Sequence, residues 1–225
     1  MKYDLHVHSK EVSPCGKMSV TEMVDAYKDK GYQGFWLTNH FHEEFLELTE
    51  GMDWKARAEF FTEPVRTAVK YAGDDFFVGL GMEIRFLSDP NDYLLIGVNE
   101  RMIFEEAEGW LNMDLKSFYE KYHERLMIIQ AHPNRRDSSS PADISFLHGF
   151  EAINSSPRHE NYNEITQHTL CLNPRLIPTA GSDSHRPEDV GRTGIITETL
   201  LSSTEELLSL LKNRDYKLID PEDSL

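Results

Sequence analysis

The sequence predicts a single α/β domain spanning residues 1–225, either a closed barrel or an open sheet. Two observations predict it. Short apolar segments of strand length alternate with amphipathic helical segments along the whole chain. Polar side chains capable of chemistry recur just after those strands, the end at which barrels and doubly wound sheets place their sites. No internal repeat, low-complexity tract or Pro/Gly-rich linker interrupts the pattern, and "RRDSSSPAD" (135–143) is a loop too short to separate domains.

Element by element, "YDLHV" (3–7) reads as a buried first strand. Ser19 and Glu22 have capping-box spacing at the start of a helix that Gly31 can stop. "GFWLT" (34–38) is a second strand. From Trp54 to Ala72, Phe61, Val65, Ala68, Val69 and Ala72 recur at helical spacing. "FFVGLGMEI" (76–84) and "YLLIGV" (93–98) are strands three and four, a helix begins near Asp114, and "LMIIQA" (126–131) is the fifth strand. "FEAIN" (150–154) and "LIPTA" (176–180) follow, with a helix from about Asn161 to Leu172 between them. "TGIIT" (193–197), a helix from Thr204 to Asn213 and "YKLI" close the chain.

Composition narrows the function classes. The 39 Asp and Glu residues against 23 Lys and Arg give a net charge of −16. That balance argues against binding to nucleic-acid backbones or anionic membranes. No apolar run reaches spanning length, and the N-terminus enters a strand without an apolar signal region. The only cysteines are Cys15 and Cys171, which points to a reducing, cytoplasmic setting. No glycine loop of nucleotide-binding type is present, so no organic cofactor is expected.

The informative residues share one address. His6 and His8 end the first strand, Asn39 and His40 follow the second, and Glu83 ends the third. Asn99 follows the fourth, His132 the fifth, Asn154 ends the sixth, and Asp183 and His185 follow the seventh. A single histidine after a strand carries little weight, because most such residues are surface or capping groups. Residues i and i+2 of a strand share a face, so His6 and His8 can reach one ion. Imidazoles with carboxylates favour zinc, manganese or iron over calcium, and the lack of a cysteine quartet argues against a closed structural zinc site. An open His/Asp/Glu site points to metal-assisted hydrolysis.

In this order, "DLHVHS", "TNH", "GMEI", "AHP", "EAINSS" and "AGSDSH" resemble the motifs of the polymerase-and-histidinol-phosphatase (PHP) domain family, its phosphoesterase-like members in particular. The resemblance runs from Tyr3 to about Gly191. It implies a distorted (β/α)7, TIM-like barrel with up to three divalent ions, used to cleave phosphate esters. It also implies that His6, His8, Glu83 and Asp183 hold one ion, that Glu83 bridges to a second with His132, and that His40 and His185 hold a third. Basic residues grip phosphate in the family, which puts Arg135 and Arg136 first here, ahead of Arg158, His159 and Arg192, with Asn154 beside them.

Three positions depart from the family pattern. Asn39 stands where an Asp is common. Cys15, with Glu11 as the alternative, occupies the turn that usually completes the third ion's ligands. Asn99 stands where phosphatase-like members place a histidine and would be a weaker ligand of the second ion. On this reading a metal-activated water hydrolyses a small phosphorylated metabolite or nucleotide, with Asp183, Arg135 and His185 as catalytic residues and His185 a candidate proton donor. The alternative is a non-catalytic, regulatory metal module with reduced occupancy. An amidohydrolase-type barrel ranks third, because no Lys ends a middle strand. "FHEEFLELTEGMDW" (41–54) reads as an amphipathic loop or lid, and His42, His123, His148 and His168 as structural or surface residues.

Overall fold

The computed structural model describes residues 1–221. It is a mixed α/β fold whose sheet curls into a nearly closed barrel. In chain order the elements are β1 (Lys2–Val7), α1 (Val20–Asp29), β2 (Gly34–Leu37), β3 (His40–Phe41), α2 (Glu43–Leu48) and α3 (Trp54–Ala72). There follow β4 (Phe77–Ile84), β5 (Tyr93–Ile96), α4 (Glu100–Glu105), α5 (Leu115–Tyr122), β6 (Met127–Gln130) and β7 (Gly149–Asn154). The chain closes with α6 (Asn163–Leu172), β8 (Ile177–Gly181), β9 (Gly194–Thr197), α7 (Thr204–Asn213) and β10 (Tyr216–Ile219). The capping box of Ser19 and Glu22 forms, Asp53 and Asp114 cap α3 and α5, and Gly31 takes a positive φ after α1. Among the described residues, no helix is long and apolar enough to cross a membrane.

The sheet order is β10-β9-β1-β2-β4-β5-β6-β7-β8, and β3 pairs with β4. β1 closes it: Lys2 and Tyr3 pair with β9, while Val7 bridges in parallel to Ser184 just past β8. The strict alternation expected from the sequence fails at the C-terminal strands, where β9 runs antiparallel to β1 and β10 to β9, and again at β5. β5 runs antiparallel to both β4 and β6, because a short connection after Ile84 returns the chain directly alongside β4. Its C-terminal end therefore faces away from the C-terminal ends of its neighbours.

Two strands are bulged. Between Asp4 and Val7, β1 carries one residue more than β2, and between Glu151 and Ile153, β7 carries one more than β8. The β1 bulge changes the phase of the strand. Tyr3 and Leu5 pack with Trp36, Leu94 and Ile129, whereas Val7 packs with Val24, Tyr27 and Leu37. His6 and His8 thereby come onto the face that Tyr3 and Leu5 occupy lower down, the re-aiming that bulges perform beside sites. The largest apolar cluster, around Phe61, Trp110, Phe118 and Tyr122, supports β4 and β5 from outside.

His148 shows how a polar side chain is accommodated in this packing. Its Nδ1 accepts from the Ile128 N–H at 3.0 Å and its Nε2 donates to the His123 carbonyl at 3.1 Å. Only the neutral ring can do both. Burial pushes its pKa down to about 4, against the opposing effect of the His123 carbonyl. The unfolded chain takes up this proton near pH 6.5 and the folded chain does not, so the stabilisation is present above pH 6.5 and lost as pH falls toward 4. In His148→Gln that dependence disappears, and the stability gap between wild type and variant in denaturant melts narrows from pH 6.5 to pH 4. The slope stays below the about 1.4 kcal/mol per pH unit of a fully buried group, because this ring is partly screened. A gap independent of pH would refute the assignment.

Candidate metal centre

Glu83 is the hub of the candidate site. Its Oε1 lies 3.2 Å from His6 Nε2 and from His132 Nε2, and its Oε2 lies 3.5 Å from His8 Nε2 and 3.2 Å from His40 Nε2. Asp183 faces the same imidazoles, with Oδ1 3.6 Å from His6 Nε2 and 3.3 Å from His8 Nε2. His6 and His8 are fully buried, and Glu83, His132 and Asp183 are at most 3% exposed. Backbone geometry is unusual here, since His132 and Asp183 both adopt positive φ.

The supporting bonds fix which atoms face inward. Glu151 Oε1 lies 2.8 Å from His6 Nδ1 and accepts its hydrogen bond, so the ring presents Nε2 to the hub. The β7 bulge lets Asn154 donate to Glu151 Oε2 at 2.9 Å, which the His132 N–H also reaches at 2.9 Å. Gly181 is required at this contact: a Cβ there would lie 2.2 Å from His6 Cβ and 2.8 Å from Glu151 Oε1. Arg135 donates to Asp183 Oδ2, Asn154 and Asn161, which holds the Asp183 carboxylate from behind.

Burial opposes charge throughout the cluster, and the neighbours decide its sign. The carboxylates of Glu151, Asp183 and Glu83 outweigh burial and raise the His6 pKa. Burial with His185 and His40 nearby lowers that of His8. Burial raises Glu83 and Asp183, but the adjoining imidazoles and, for Asp183, Arg135 hold both well below the usual range.

The donor set fits a divalent ion. His6 Nε2 and His8 Nε2 are buried without a hydrogen-bond partner among the described residues, and both aim at ionised carboxylates. On a neutral ring the lone pair would face a carboxylate, which is repulsive unless a cation, a metal ion or a ring proton, lies between them. Among the described residues four groups have ligand atoms within 4.8 Å of one another: His6, His8 and Asp183; His6, Glu83 and His132; His8, His40 and His185; and, with Glu44 exposed, His40, His42 and Glu44.

A cavity of about 310 Å³ opens onto these groups. Arg85, Arg135, Arg158, Arg186 and His159 line it with Cys15, His40, Asp92, His132 and His185. A larger groove of about 860 Å³ between β9, β10 and α7 has no histidine or cysteine in its lining, so the chemistry belongs to the smaller one.

Other positions differ from expectation. Asn99 lies beyond the reversed end of β5 and caps α4, accepting from the Met102 N–H at 3.0 Å. The expectation that it joins the ligands fails because β5 is antiparallel. Asn39 fastens the loop after β1, accepting from the Ser9 N–H at 2.8 Å and the Ser13 hydroxyl at 3.1 Å. Arg136 turns outward to pair with Glu160 over the Tyr162 ring, and Arg192 is exposed and absent from the cavity lining. Glu11 accepts from the Val20 N–H.

Four contributors escaped sequence reasoning: Glu151, Asp92, Arg85 and His42. Asp92, just before β5, is gripped by Arg85 in a two-bond fork of 2.7 Å each and lies 3.3 Å from His42 Nε2. His42, expected at the surface or in a structural role, is 4% exposed and lines the cavity. The available signals were a Glu inside the apolar strand "FEAIN" and the H-x-H spacing of His40 and His42. Glu151→Gln replaces an acceptor of two bonds with a donor and leaves His6 a weaker partner. Metal affinity measured by competition with a chelator is expected to drop about 10- to 100-fold, the range for partners of ligating histidines. An unchanged affinity would remove Glu151 from this role.

A model of the PHP-associated family matches residues 175–216, and no curated protein matches the chain. Among solved structures, the fold is similar to a two-domain protein from Bacteroides vulgatus containing a predicted PHP-like metal-dependent phosphoesterase. The TM-score is 0.70 at 20% identity, over 98% of this chain and 64% of that one. It is also similar to PsfC from Pseudomonas syringae, with a TM-score of 0.62 at 14% identity over 97% and 90% of the two chains. A protein from Bifidobacterium adolescentis assigned as a metal-dependent phosphoesterase gives 0.50 at 14% identity, over 93% and 96%. The chain thus spans just under two thirds of the length of the first. The PHP-associated match covers residues 175–216, and the solved structures show a likeness of fold.

Proposed function

We propose that the chain is a metal-dependent phosphoesterase acting on a small phosphorylated metabolite or nucleotide. The observation that carries this is the pair of buried, unpartnered nitrogens, His6 Nε2 and His8 Nε2, facing Glu83 and Asp183 beneath a cavity lined by four arginines. The same reading takes residues 1–225, of which 222–225 lie outside the described residues, as one domain on a distorted (β/α)7 barrel. The seven strands β1, β2 and β4–β8, closed by the bridge from Val7 to Ser184, support it.

His6, His8, Glu83 and Asp183 would hold one ion, and His132 joins Glu83 at a second position. A divalent ion bound there supplies Lewis-acid polarisation of a phosphoryl oxygen and a water of lowered pKa. Zinc, manganese and iron all suit this donor set. The chain supplies the remainder. Arg158, anchored by Asp189 with two bonds of 2.8 Å, and Arg186 present guanidinium groups to an anionic substrate. Arg135 keeps Asp183 ionised and oriented. His185 donates from Nδ1 to the Asp183 carbonyl at 2.9 Å and groups with His8 and His40, which supports ligation over proton donation.

His8→Ala and Asp183→Ala are expected to lose phosphatase activity by roughly 100-fold or more, with the circular dichroism spectrum retained. Screening sugar phosphates, nucleotides and histidinol phosphate with added zinc or manganese gives the readout, and unchanged turnover in both variants sinks the proposal. The displacement of Asn99 favours one second reading, a regulatory module of reduced occupancy. A metal count on the same preparation separates the two, because the family mechanism needs at least two ions.

A further inference from the structure

Asp4 is fully buried in β1 and takes no part in the ligand cluster. Its carboxylate has uncharged partners: the backbone N–H groups of His6 and Ser182, the Tyr27 phenol and the Ser182 hydroxyl. Oδ1 accepts from the His6 N–H at 3.1 Å and from the Ser182 N–H at 3.0 Å. Oδ2 accepts at 2.7 Å from the Tyr27 hydroxyl, whose oxygen lies 3.0 Å from Ser182 Oγ. A carboxylate buried without a cation is held by such bonds alone.

The two N–H groups belong to the two segments that carry His6, His8 and Asp183. His6 lies inside the β1 bulge, with His8 two residues on, and Ser182 immediately precedes Asp183. Beyond Asp4 the segments are stitched together. The Ser184 N–H reaches the His6 carbonyl at 3.4 Å, and the His8 N–H reaches the Ser184 carbonyl at 3.0 Å. Asp183 has φ 53°, a conformation that a non-glycine residue keeps where its surroundings determine it. Ser182, held through its N–H and its hydroxyl, fixes the chain on the N-terminal side of that residue. His6 Nε2 and His8 Nε2 then stand 3.6 and 3.3 Å from Asp183 Oδ1.

We propose that Asp4 is a positioning residue of the metal centre. Its Oδ1 fixes the His6 backbone and the turn into Asp183 relative to each other, and Tyr27, reaching in from α1, fixes the carboxylate. Ligand atoms from two segments grip one ion well only when held to within about 0.5 Å. A single acceptor shared by both backbones meets that demand. The inference rests on the reading of the cluster as a metal centre, and the experiment tells the two apart.

Chelator-stripped protein is titrated with Co²⁺. Affinity is read by chelator competition, ligand geometry by the visible d–d bands, and stability by the melting temperature of the stripped protein. Asp4→Ala is expected to bind cobalt about 10- to 100-fold more weakly, the range for groups that orient ligands, with altered bands. Asp4→Asn restores affinity and bands, because its carbonyl accepts from both N–H groups and its amide donates to the Tyr27 oxygen. Tyr27→Phe alters no ligand, covers the case in which Asp4→Ala does not fold, and weakens binding in the same direction. A lowered melting temperature with wild-type affinity and bands, in Asp4→Ala or in Tyr27→Phe, makes the network merely structural and overturns the proposal. Binding by Asp4→Asn as weak as by Asp4→Ala also overturns it, assigning the effect to charge. No cobalt bound by wild type overturns the metal reading itself and the proposal with it.

Discussion

The bond between Glu151 and His6 is the contact around which the rest of the centre is arranged. It joins β1 to β7 across the barrel interior, between two residues that are at most 1% exposed. Both strands carry an extra residue at that level, and Gly181 leaves the space between them empty of side chain. The bulges set direction as well as proximity. Without the β1 bulge, Val7 would share the face of Tyr3 and Leu5, and the imidazoles would turn toward the helices. Fixing the His6 tautomer then fixes the orientation of the ligand nitrogen nearest Glu83.

A second constraint is charge. Glu83, Asp183, Glu151 and Asp92 are all nearly inaccessible, and burying unpaired carboxylates costs several kcal/mol each. The fold meets this cost unevenly. Asp92 has Arg85 and Asp183 has Arg135, both through direct forks or bonds. Glu83 has no arginine or lysine partner among the described residues, only imidazoles at 3.2–3.5 Å. The hub is therefore the place where a bound cation contributes most, both to affinity and to stability of the loaded protein.

How much of this was legible follows from what each residue depends on. His6, His8, His40, Glu83, His132, Asp183 and His185 were readable because strand ends and i, i+2 spacing are local properties, and the structure brings all seven together. Helix α3 and helix α7 were readable to the residue for the same reason. Asn99 was misplaced because strand direction is a property of pairing. Nothing in "YLLIGV" distinguishes a parallel from an antiparallel neighbour, and the reversal exchanges Asn99 for Asp92 at the site end. Glu151 depends on a bulge, which pattern reading cannot register when one residue shifts the phase. Arg136 and Arg135 are adjacent in sequence and equal in type, and only the fold turns one inward.

The cavity contrasts with the surface around it. The chain carries −16 overall, a field that repels anionic molecules at long range. Four arginines line the cavity of about 310 Å³, and three of them are pinned by Asp92, Asp183 and Asp189. Pinning lowers the entropy lost on binding and keeps the guanidinium groups beside the metal ligands. A phosphate group small enough to enter meets local positive charge within contact distance, where screening matters least. Under the proposed function a polyanion would have to bring many charges against the acidic exterior, and that reading favours compact monoesters over polymer backbones.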